Sequence, residues 1–362
     1  MESKRKILIV IQNLGIGGAQ RMVLELVRKL DTARFDFRVI CCSEAKGTHM
    51  EKTLETICPV EYLNIRGRVN IRALARAFRA FDIYKPDLIH AHLGGAAFAI
   101  PWCTIRRKPF LLTVHSEPNP HSKKGWESML RRTVKRGKAF IAAVSLENYK
   151  LCKKHYGADD YHCTCINNGI DCDQYYAKDH SDFTFINVAT HNKNKNQAMI
   201  LDCFARLYRE HSGIRLILAG HGPTTEELKV QADQLHISEA VDFVGNVSNV
   251  ADYLSVSNVF LLSSYSEALP LAVLEGMATG LPVVSTHVGG MADIVKENGY
   301  LVPAGDENAF FEAMLKLLRM EPHDYSLMKA ASLKTAQLYS STTMANQYME
   351  LYDKIEKAKR FT

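Results

Sequence analysis

The residues best suited to chemistry lie between Ser263 and Asp293, where two glutamates eight positions apart flank the start of a predicted helix. Glu267 precedes the helix, and its carboxylate could accept hydrogen bonds from sugar hydroxyls. The amides of Ala268 to Leu271 lie at the positive end of the helix and could bind an anion. Glu275 is two turns further on, and its chemistry alone leaves open whether it binds a ligand or is exposed to solvent.

A glycine-rich loop at residues 13–20 is a second candidate site. It contains Gly15, Gly17 and Gly18 and lies between a predicted strand and a predicted helix. Glycines in such a loop allow backbone amides to approach a phosphate at the helix N-terminus. A dinucleotide-binding fingerprint requires a glycine where Gln20 stands, which argues against a dehydrogenase. A tight turn without a ligand is the alternative interpretation.

Alternating strands and helices must position these candidates, a pattern typical of parallel sheets covered by helices. The predicted strands are residues 6–11, 35–41, 86–92, 110–114, 140–144, 183–188, 214–218, 241–244, 259–262 and 281–284. Turn residues from Asn167 to Asp171 interrupt the series, so we place a hinge there. The predicted fold class is α/β, with two doubly wound parallel sheets facing across a cleft that binds the ligand.

The predicted domains are residues 1–168 and 169–340, followed by a helix at 341–362 that is expected to pack back on the N-terminal domain. A length of 362 residues agrees with two domains. Residues 1–166 carry 29 Lys and Arg against 15 Asp and Glu, whereas the remainder carries 16 against 24. The basic excess of the first half suits an anionic partner.

No apolar run approaches the ~20 residues needed to span a bilayer, and no secretory segment is recognisable at the N-terminus. We therefore expect a cytoplasmic protein. Its nine cysteines have irregular spacing, which favours reduced thiols over a disulfide framework or a zinc site.

The segment from Glu267 to Glu275, with the Ala-Thr-Gly-Leu-Pro-Val-Val that follows, resembles the E-x7-E motif of the family 4 retaining glycosyltransferases. Further motifs in register with this family lie at residues 9–30, 85–92, 168–171, 218–223, 243–245 and 289–293. The resemblance implies the GT-B fold, with two Rossmann-like domains, the first binding the acceptor and the second the nucleotide-sugar donor. It also implies transfer of a hexose-type sugar to a hydroxyl acceptor with retention of configuration.

The same resemblance implies roles for individual residues. Glu267 is expected to contact the donor sugar, His115 to face it and Lys195 to stabilise the diphosphate, so these three are the predicted catalytic residues. Glu275 is expected to hold the donor ribose, and Gly18 to lie near the donor phosphates. The other predicted donor-binding residues, including two that flank the base, are Gly17, Thr190, Gly245, Val247, Ala268, Leu269 and Leu271.

Thr190 is a departure from the family, which commonly has an arginine five or six residues before the lysine. A hydroxyl does not replace a bidentate guanidinium on a pyrophosphate, although Lys193 or Arg21 could supply charge. Two alternatives to an active transferase therefore stay open. One is a nucleotide-sugar epimerase of the same fold, against which the E-x7-E segment argues. The other is a catalytically silent nucleotide-sugar-binding subunit, which Thr190 motivates.

Two pairs of residues have spacings that could suggest metal ligands. His90 and His92 end a buried strand and lack a third partner, so structural roles are favoured. Asp171 and Asp173 resemble the DxD motif of the other glycosyltransferase fold, but they lie in the predicted hinge. We predict no metal site and no cofactor besides the nucleoside diphosphate sugar.

A basic segment from Lys123 to Lys138 places seven Lys and Arg around Trp126, Met129, Leu130 and Val134, which follow helical spacing. This composition is typical of an interfacial helix on an anionic membrane, with Trp126 inserted. The alternative is a helix whose apolar stripe packs on the core and whose basic side is solvated.

The predicted partners are a UDP- or GDP-sugar donor and a lipid-linked or saccharide acceptor. An anionic membrane surface is a further predicted partner, which would make the protein peripheral on the inner face of the membrane. The basic charge comes without a recognisable nucleic-acid-binding motif, so no nucleic acid is expected.

Overall fold

The computed structural model describes residues 4–359 except Ile16, Arg68, Glu117, 119–124 and Ser248. The chain divides into two compact units. The first comprises Met1–Gly169 together with Ser341–Thr362, and the second comprises Ile170–Ser340. Each unit contains one parallel β-sheet with helices packed against it.

The first unit contains a seven-stranded sheet in the order β3-β2-β1-β4-β5-β6-β7. Its strands are β1 (Arg5–Ile11), β2 (Phe35–Cys41), β3 (Val60–Tyr62), β4 (Leu88–His92), β5 (Phe110–Val114), β6 (Ala139–Ala143) and β7 (Cys163–Cys165). Its first six helices are α1 (Gly18–Lys29), α2 (His49–Ile57), α3 (Ile71–Tyr84), α4 (Ala96–Arg106), α5 (Gly125–Lys135) and α6 (Leu146–Tyr156). The strand order reverses between β1 and β4, and open α/β sheets bind ligands at such a switch point.

The second unit repeats this topology in a six-stranded sheet of order β10-β9-β8-β11-β12-β13. Its strands are β8 (Phe183–Val188), β9 (Ile214–Ala219), β10 (Val241–Gly245), β11 (Val259–Leu262), β12 (Val283–Thr286) and β13 (Gly299–Val302). Its helices are α7 (Gln197–Glu210), α8 (Thr225–Gln234), α9 (Val250–Ser255), α10 (Leu271–Ala278), α11 (Met291–Ile294), α12 (Glu307–Leu318) and α13 (Pro322–Leu338). The switch point of this sheet lies between β8 and β11.

The last helix, α14 (Ser341–Lys359), belongs to the first unit and packs against α1. Its Tyr348 and Tyr352 are fully buried. Both tyrosines make hydrogen bonds with side chains on β4 and β5, so α14 covers part of one sheet face.

The predicted α/β fold with two doubly wound sheets is confirmed. All ten predicted strands are present, with ends that differ by at most two residues, as in β4 and β12. Three strands, β3, β7 and β13, were not predicted. Each is short and lies at the edge of its sheet, where one neighbouring strand is absent and no long apolar run is needed.

The apolar stripe of α5 packs on the core of the first unit. Leu130 and Val134 are buried, and Trp126 and Met129 are partly buried against the same cluster. The expectation that Trp126 inserts into a membrane is therefore corrected, because a core surface satisfies a helical apolar stripe as well as lipid does.

The basic side of the same segment is solvated, since Arg132, Lys135, Arg136 and Lys138 are exposed. Lys123 and Lys124 of the predicted basic segment lie outside the described residues. Within the part of the chain that the structure describes, the helices lack the combination of length and apolar character that crossing a bilayer requires.

Candidate functional site

Two loops at the switch point of the second sheet bring the predicted lysine and the first predicted glutamate together. Lys195 lies in the loop after β8, and Glu267 lies in the loop after β11, the strand that pairs with β8. The Nζ atom of Lys195 is 2.5 Å from Oε1 of Glu267, and their side chains are only 22% and 10% exposed. A cation and a carboxylate therefore form one unit at the carboxyl edge of the sheet.

Hydroxyl side chains that sequence reasoning missed fix this pair in place. Ser264 donates a hydrogen bond from Oγ to Oε1 of Glu267 at 2.7 Å, and Thr286 Oγ1 donates to the carbonyl oxygen of Ser264 at 2.6 Å. Ser263 Oγ donates to the carbonyl oxygen of Lys195 at 2.8 Å. The sequence feature that could have revealed the two serines is their position directly after a buried strand and shortly before the glutamate.

The loop that follows β12 packs against the backbone of Glu267 and Ala268. Gly289 has a φ of +54°, and a Cβ atom there would lie 1.9 Å from the carbonyl oxygen of Glu267. The amide of Gly290 donates to the carbonyl oxygen of Ala268 at 2.6 Å. Glycine at position 289 is thus required both by the left-handed backbone and by the close approach.

The second predicted glutamate, Glu275, is buried in the middle of α10 with 4% of its surface exposed. The alternative that Glu275 is simply a solvent-exposed residue is therefore wrong. Ala268, Leu269 and Leu271 are also buried before and at the start of α10. Pro270 has no amide hydrogen, so these three residues supply the backbone donors near the helix start.

Thr190, in the loop after β8, is exposed to solvent. Its carbonyl oxygen accepts a hydrogen bond from Gln197 Nε2 at 3.3 Å. Gly220 has a φ of +139°, and a Cβ atom there would lie 1.9 Å from the carbonyl oxygen of Ala189. The glycine-rich turn that follows β9 therefore packs closely against the loop after β8. The side chain at position 190 contributes no positive charge.

His191, beside Thr190, is buried, with Nδ1 3.0 Å from Thr225 Oγ1. Burial, with a smaller contribution from His221, lowers the pKa of His191. His191 is therefore uncharged at neutral pH and does not replace the arginine of the family.

The predicted base-flanking residues, Gly245 and Val247, lie at the end of β10 and just beyond it, two strands from β8. The carbonyl oxygen of Gly245 accepts a hydrogen bond from the amide of Gly220 at 2.8 Å, which ties this turn to the one after β9. The predicted donor-binding residues of the second unit other than Glu275 thus lie at the carboxyl ends of its strands or in the loops that follow them, up to the first residue of α10.

The glycine-rich loop of the first unit follows β1 at the switch point of the first sheet. Gly17 caps α1, and Gly18 is its first residue. Asn13 Oδ1 accepts hydrogen bonds from Gln20 Nε2 at 2.9 Å and from the amide of Gly15 at 3.2 Å. Gln20 stands where a dinucleotide fingerprint has glycine, and it stabilises the loop through its hydrogen bond to Asn13.

His115, directly after β5, joins a cluster of histidines at the carboxyl ends of β4 and β5. Its Nε2 is 2.9 Å from Nδ1 of His92. Desolvation lowers the pKa of His115 to about 4 and that of His90 to about 3, so both are neutral at pH 7. The link from His92 to His115 was not predicted, although their positions at the ends of adjacent strands were a signal.

His90 lies behind His92, between two hydroxyl groups. Its Nδ1 is 2.8 Å from Tyr352 Oη, and its Nε2 is 2.7 Å from Thr113 Oγ1. Thr113 Oγ1 is in turn 2.9 Å from Tyr348 Oη. His90 and Thr113 therefore connect β4 and β5 to α14.

The second pair weighed as metal ligands lies at the start of the second unit. Asp171 accepts a hydrogen bond from Gln174 Nε2 at 3.0 Å, and Asp173 is in the same short turn. Over the described ranges, no group of three or more His, Cys, Asp or Glu side chains has an arrangement that could hold a metal ion.

Two family models match successive parts of the chain. The model for Glycosyltransferase Family 4 matches residues 16–174, and that for Glycosyl transferases group 1 matches residues 173–334. With the two switch-point sheets and the paired lysine and glutamate, these matches define the class of protein. The chain belongs to the family 4 glycosyltransferases and has the GT-B fold.

One relative is the N-acetyl-alpha-D-glucosaminyl L-malate synthase of Bacillus anthracis, 29% identical over 49% of this chain and 47% of the relative. The match therefore spans about half the length of that relative. The UDP-Gal:alpha-D-GlcNAc-diphosphoundecaprenol alpha-1,3-galactosyltransferase of Escherichia coli is 24% identical over 83% of this chain and 85% of its own.

Among solved structures, HepE of Anabaena in complex with UDP-glucose has a TM-score of 0.81. It is 19% identical to this chain, and the alignment covers 96% of this chain and 99% of HepE. At this identity the likeness shows the fold alone.

Proposed function

We propose that this chain transfers a sugar from a nucleoside diphosphate sugar to a hydroxyl acceptor, with retention of configuration, in polysaccharide or glycolipid assembly. The observation that carries this proposal is the contact of Lys195 with Glu267, 2.5 Å apart at the switch point of the second sheet. Family membership supports the transferase class over an epimerase, and the intact pair supports an active enzyme over a silent subunit.

The chemistry requires stabilisation of a departing diphosphate and of an oxocarbenium-like sugar. Lys195 supplies a positive charge for the diphosphate, and the amides around the start of α10 add fixed dipoles. Glu267 accepts hydrogen bonds from sugar hydroxyls, and the buried Glu275 accepts them from the ribose. In the first unit, His115 offers an uncharged imidazole to the sugar, and Gly17 and Gly18 leave room for the phosphates at the start of α1.

These groups provide charge stabilisation without a metal ion, so we propose metal-independent transfer. A UDP-sugar is the preferred donor class, since HepE was solved with UDP-glucose and the E. coli relative is named for UDP-Gal. The name of the E. coli relative also includes a diphosphoundecaprenol acceptor, which supports a lipid-linked acceptor here. GDP-sugars are the second donor class to test.

The test is a panel of UDP- and GDP-sugars, with release of nucleoside diphosphate measured with and without lipid-linked acceptors. The parent is compared with Glu267→Gln, which is expected to lose turnover while it still binds nucleoside diphosphate. An epimerase would instead convert the donor sugar without releasing nucleoside diphosphate. A silent subunit would show a thermal shift with one donor but no product.

We further propose that the basic side of the α5 segment binds an anionic membrane surface at the inner face of the membrane. Arg132, Lys135, Arg136 and Lys138 are exposed there. Each Lys or Arg close to an anionic surface contributes about 1 kcal/mol, so three of them contribute about 3 kcal/mol. Since Trp126 packs on the core, the attachment is electrostatic and reversible by salt.

Co-sedimentation with phosphatidylcholine vesicles containing increasing phosphatidylglycerol tests this proposal. The variant Lys135/Arg136/Lys138→Glu is expected to bind about a hundredfold more weakly or worse. The matched control reverses three exposed lysines of the second unit, Lys296, Lys316 and Lys334. An equal loss of vesicle binding in both variants, or binding to vesicles without anionic lipid, would contradict the proposal that this basic side binds the membrane.

A further inference from the structure

His92 is a buried residue that the proposed mechanism does not use. It is fully buried at the end of β4, and its ring packs against that of His90, with 4.2 Å between the ring centroids. His92 Nδ1 is 2.9 Å from His115 Nε2, whereas His92 Nε2 is buried without a hydrogen-bond partner among the described residues. One nitrogen of His92 is thus engaged and the other is isolated.

This asymmetry decides which nitrogen of His92 carries the proton. A neutral imidazole has one N–H donor and one acceptor nitrogen. If Nε2 carried the hydrogen, an N–H donor would be buried without a partner, an arrangement rarer in proteins than an under-used acceptor. With the hydrogen on Nδ1, His92 donates to His115, and only a lone pair is left without a partner.

The same bond then fixes the tautomer of His115. An Nε2 atom that accepts a hydrogen bond from His92 cannot carry a hydrogen itself, so the hydrogen of the neutral His115 ring is on Nδ1. We propose that His92 is a positioning residue that holds His115 as an uncharged Nδ1–H donor. This inference rests on the proposed function, in which His115 contacts the donor sugar.

The residues around His92 explain why its ring keeps this orientation. His90, against which it stacks, is held at both nitrogens by Tyr352 and Thr113. Tyr352 is on α14 and Thr113 is on β5, so the stack is anchored from a helix and from the adjacent strand. A ring that cannot turn presents the same donor to His115 in every molecule.

The direct test is long-range proton–nitrogen NMR on protein labelled with ¹⁵N-histidine, because it reports which ring nitrogen is protonated without any need for activity. The His115 signal is assigned from its absence in His115→Gln. The parent is expected to show His115 protonated on Nδ1. In His92→Phe, which keeps a ring in the stack but has no donor, His115 is expected to change to the Nε2–H form.

The variant His92→Asn is the matched control, because an asparagine amide can donate from a position close to that of Nδ1. It is expected to keep the Nδ1–H form of His115 and to recover most of the turnover. His92→Phe is expected to lower kcat about tenfold to a hundredfold with KM for the donor little changed, as for loss of one oriented donor.

The possible results separate the inference from the proposed function. A parent His115 protonated on Nε2, or a tautomer that is unchanged in His92→Phe, overturns the inference whatever the activity. A tautomer change with unaltered kcat shows that transfer does not depend on the tautomer of His115, which overturns the functional part of the inference. If no sugar donor is turned over by the parent, the proposed function fails while the NMR result still decides the tautomer. If His92→Phe does not fold, the parent spectrum and His92→Asn decide it.

Discussion

Three clustered histidines of the first unit, His90, His92 and His115, should make that unit sensitive to mild acid. Burial lowers the pKa of His90 to about 3, that of His92 well below 6.5 and that of His115 to about 4. In the unfolded chain each would titrate near pH 6.5. Between the folded and unfolded pKa values the unfolded state binds more protons than the folded state. The free energy of unfolding is therefore highest above pH 6.5 and decreases as the pH falls from 6.5 towards the folded pKa values.

The size of the effect follows from the same linkage. Lowering the pH from 7.5 to 5.5 costs about 1.4 kcal/mol for each histidine that stays uncharged in the folded state, or about 4 kcal/mol for all three. The folded pKa of His155 is also lowered by burial and acts in the same direction. Four carboxylates have a pKa that is lowered by their hydrogen-bond and ion-pair partners: Asp82, Asp159, Asp160 and Asp353. Their contribution to the free energy of unfolding is lost only near pH 4 and below, so it does not affect the range from pH 7.5 to 5.5.

The assay is urea unfolding at a series of pH values, followed by tryptophan fluorescence. Both tryptophans of the chain, Trp102 and Trp126, are in the first unit, so their emission reports that unit selectively. His90→Asn should reduce the pH dependence by about a third, because one histidine no longer titrates. The control is His49→Gln, at an exposed histidine of the same unit.

Two results would refute this reasoning. One is a free energy of unfolding that changes by less than about 1 kcal/mol between pH 7.5 and 5.5, since the histidines would then be protonated in the folded state. The other is a pH dependence that His90→Asn leaves unchanged and His49→Gln reduces.

Three further predictions concern the second unit and the reaction. Lys195→Ala should lower kcat/KM about a hundredfold, whereas Lys334→Ala, at an exposed position on α13, should stay within twofold; steady-state kinetics decides between them. Transfer should survive a strong chelator, and a complete loss that added metal restores would make Asp171 a candidate ligand. Gly289→Ala should lower Tm and turnover together by displacing the backbone of Glu267. Gly125→Ala, where a Cβ would meet no atom of the described residues within 4 Å, should do neither.

The sequence was sufficient for the elements that are buried on both faces. The strands β1, β5 and β11 have nearly continuous apolar runs because helices cover both sides of the sheet, and this pattern can be recognised in the sequence alone. The edge strands β3 and β7 are only three residues long, and no hydrophobic period can be measured over that length.

The candidate residues of the site were predicted by motif, but the contact between Lys195 and Glu267 was not predicted. Lys195 and Glu267 are 72 residues apart, and they meet because β8 lies next to β11. Chain order alone would place β10 beside β11, so the contact depends on the reversal of strand order at the switch point. Trp126 shows a second limit of sequence-based prediction. Helical spacing reveals that a helix has an apolar stripe, but it does not reveal whether protein or lipid covers that stripe.

The pairing of Lys195 with Glu267 also bears on the missing arginine. In the free protein the charge of Lys195 is compensated by Glu267, so the proposed donor diphosphate meets a site with little net positive charge at this point. As the bond to the sugar breaks, the diphosphate becomes more negative and the sugar more positive. The attraction of Lys195 for the first and of Glu267 for the second then grow together, which favours the transition state over the bound substrate. In the proposed reaction an arginine at position 190 would respond to the same growing negative charge, so the threonine there weakens donor binding and also leaves Lys195 to supply the differential stabilisation of the diphosphate from this loop.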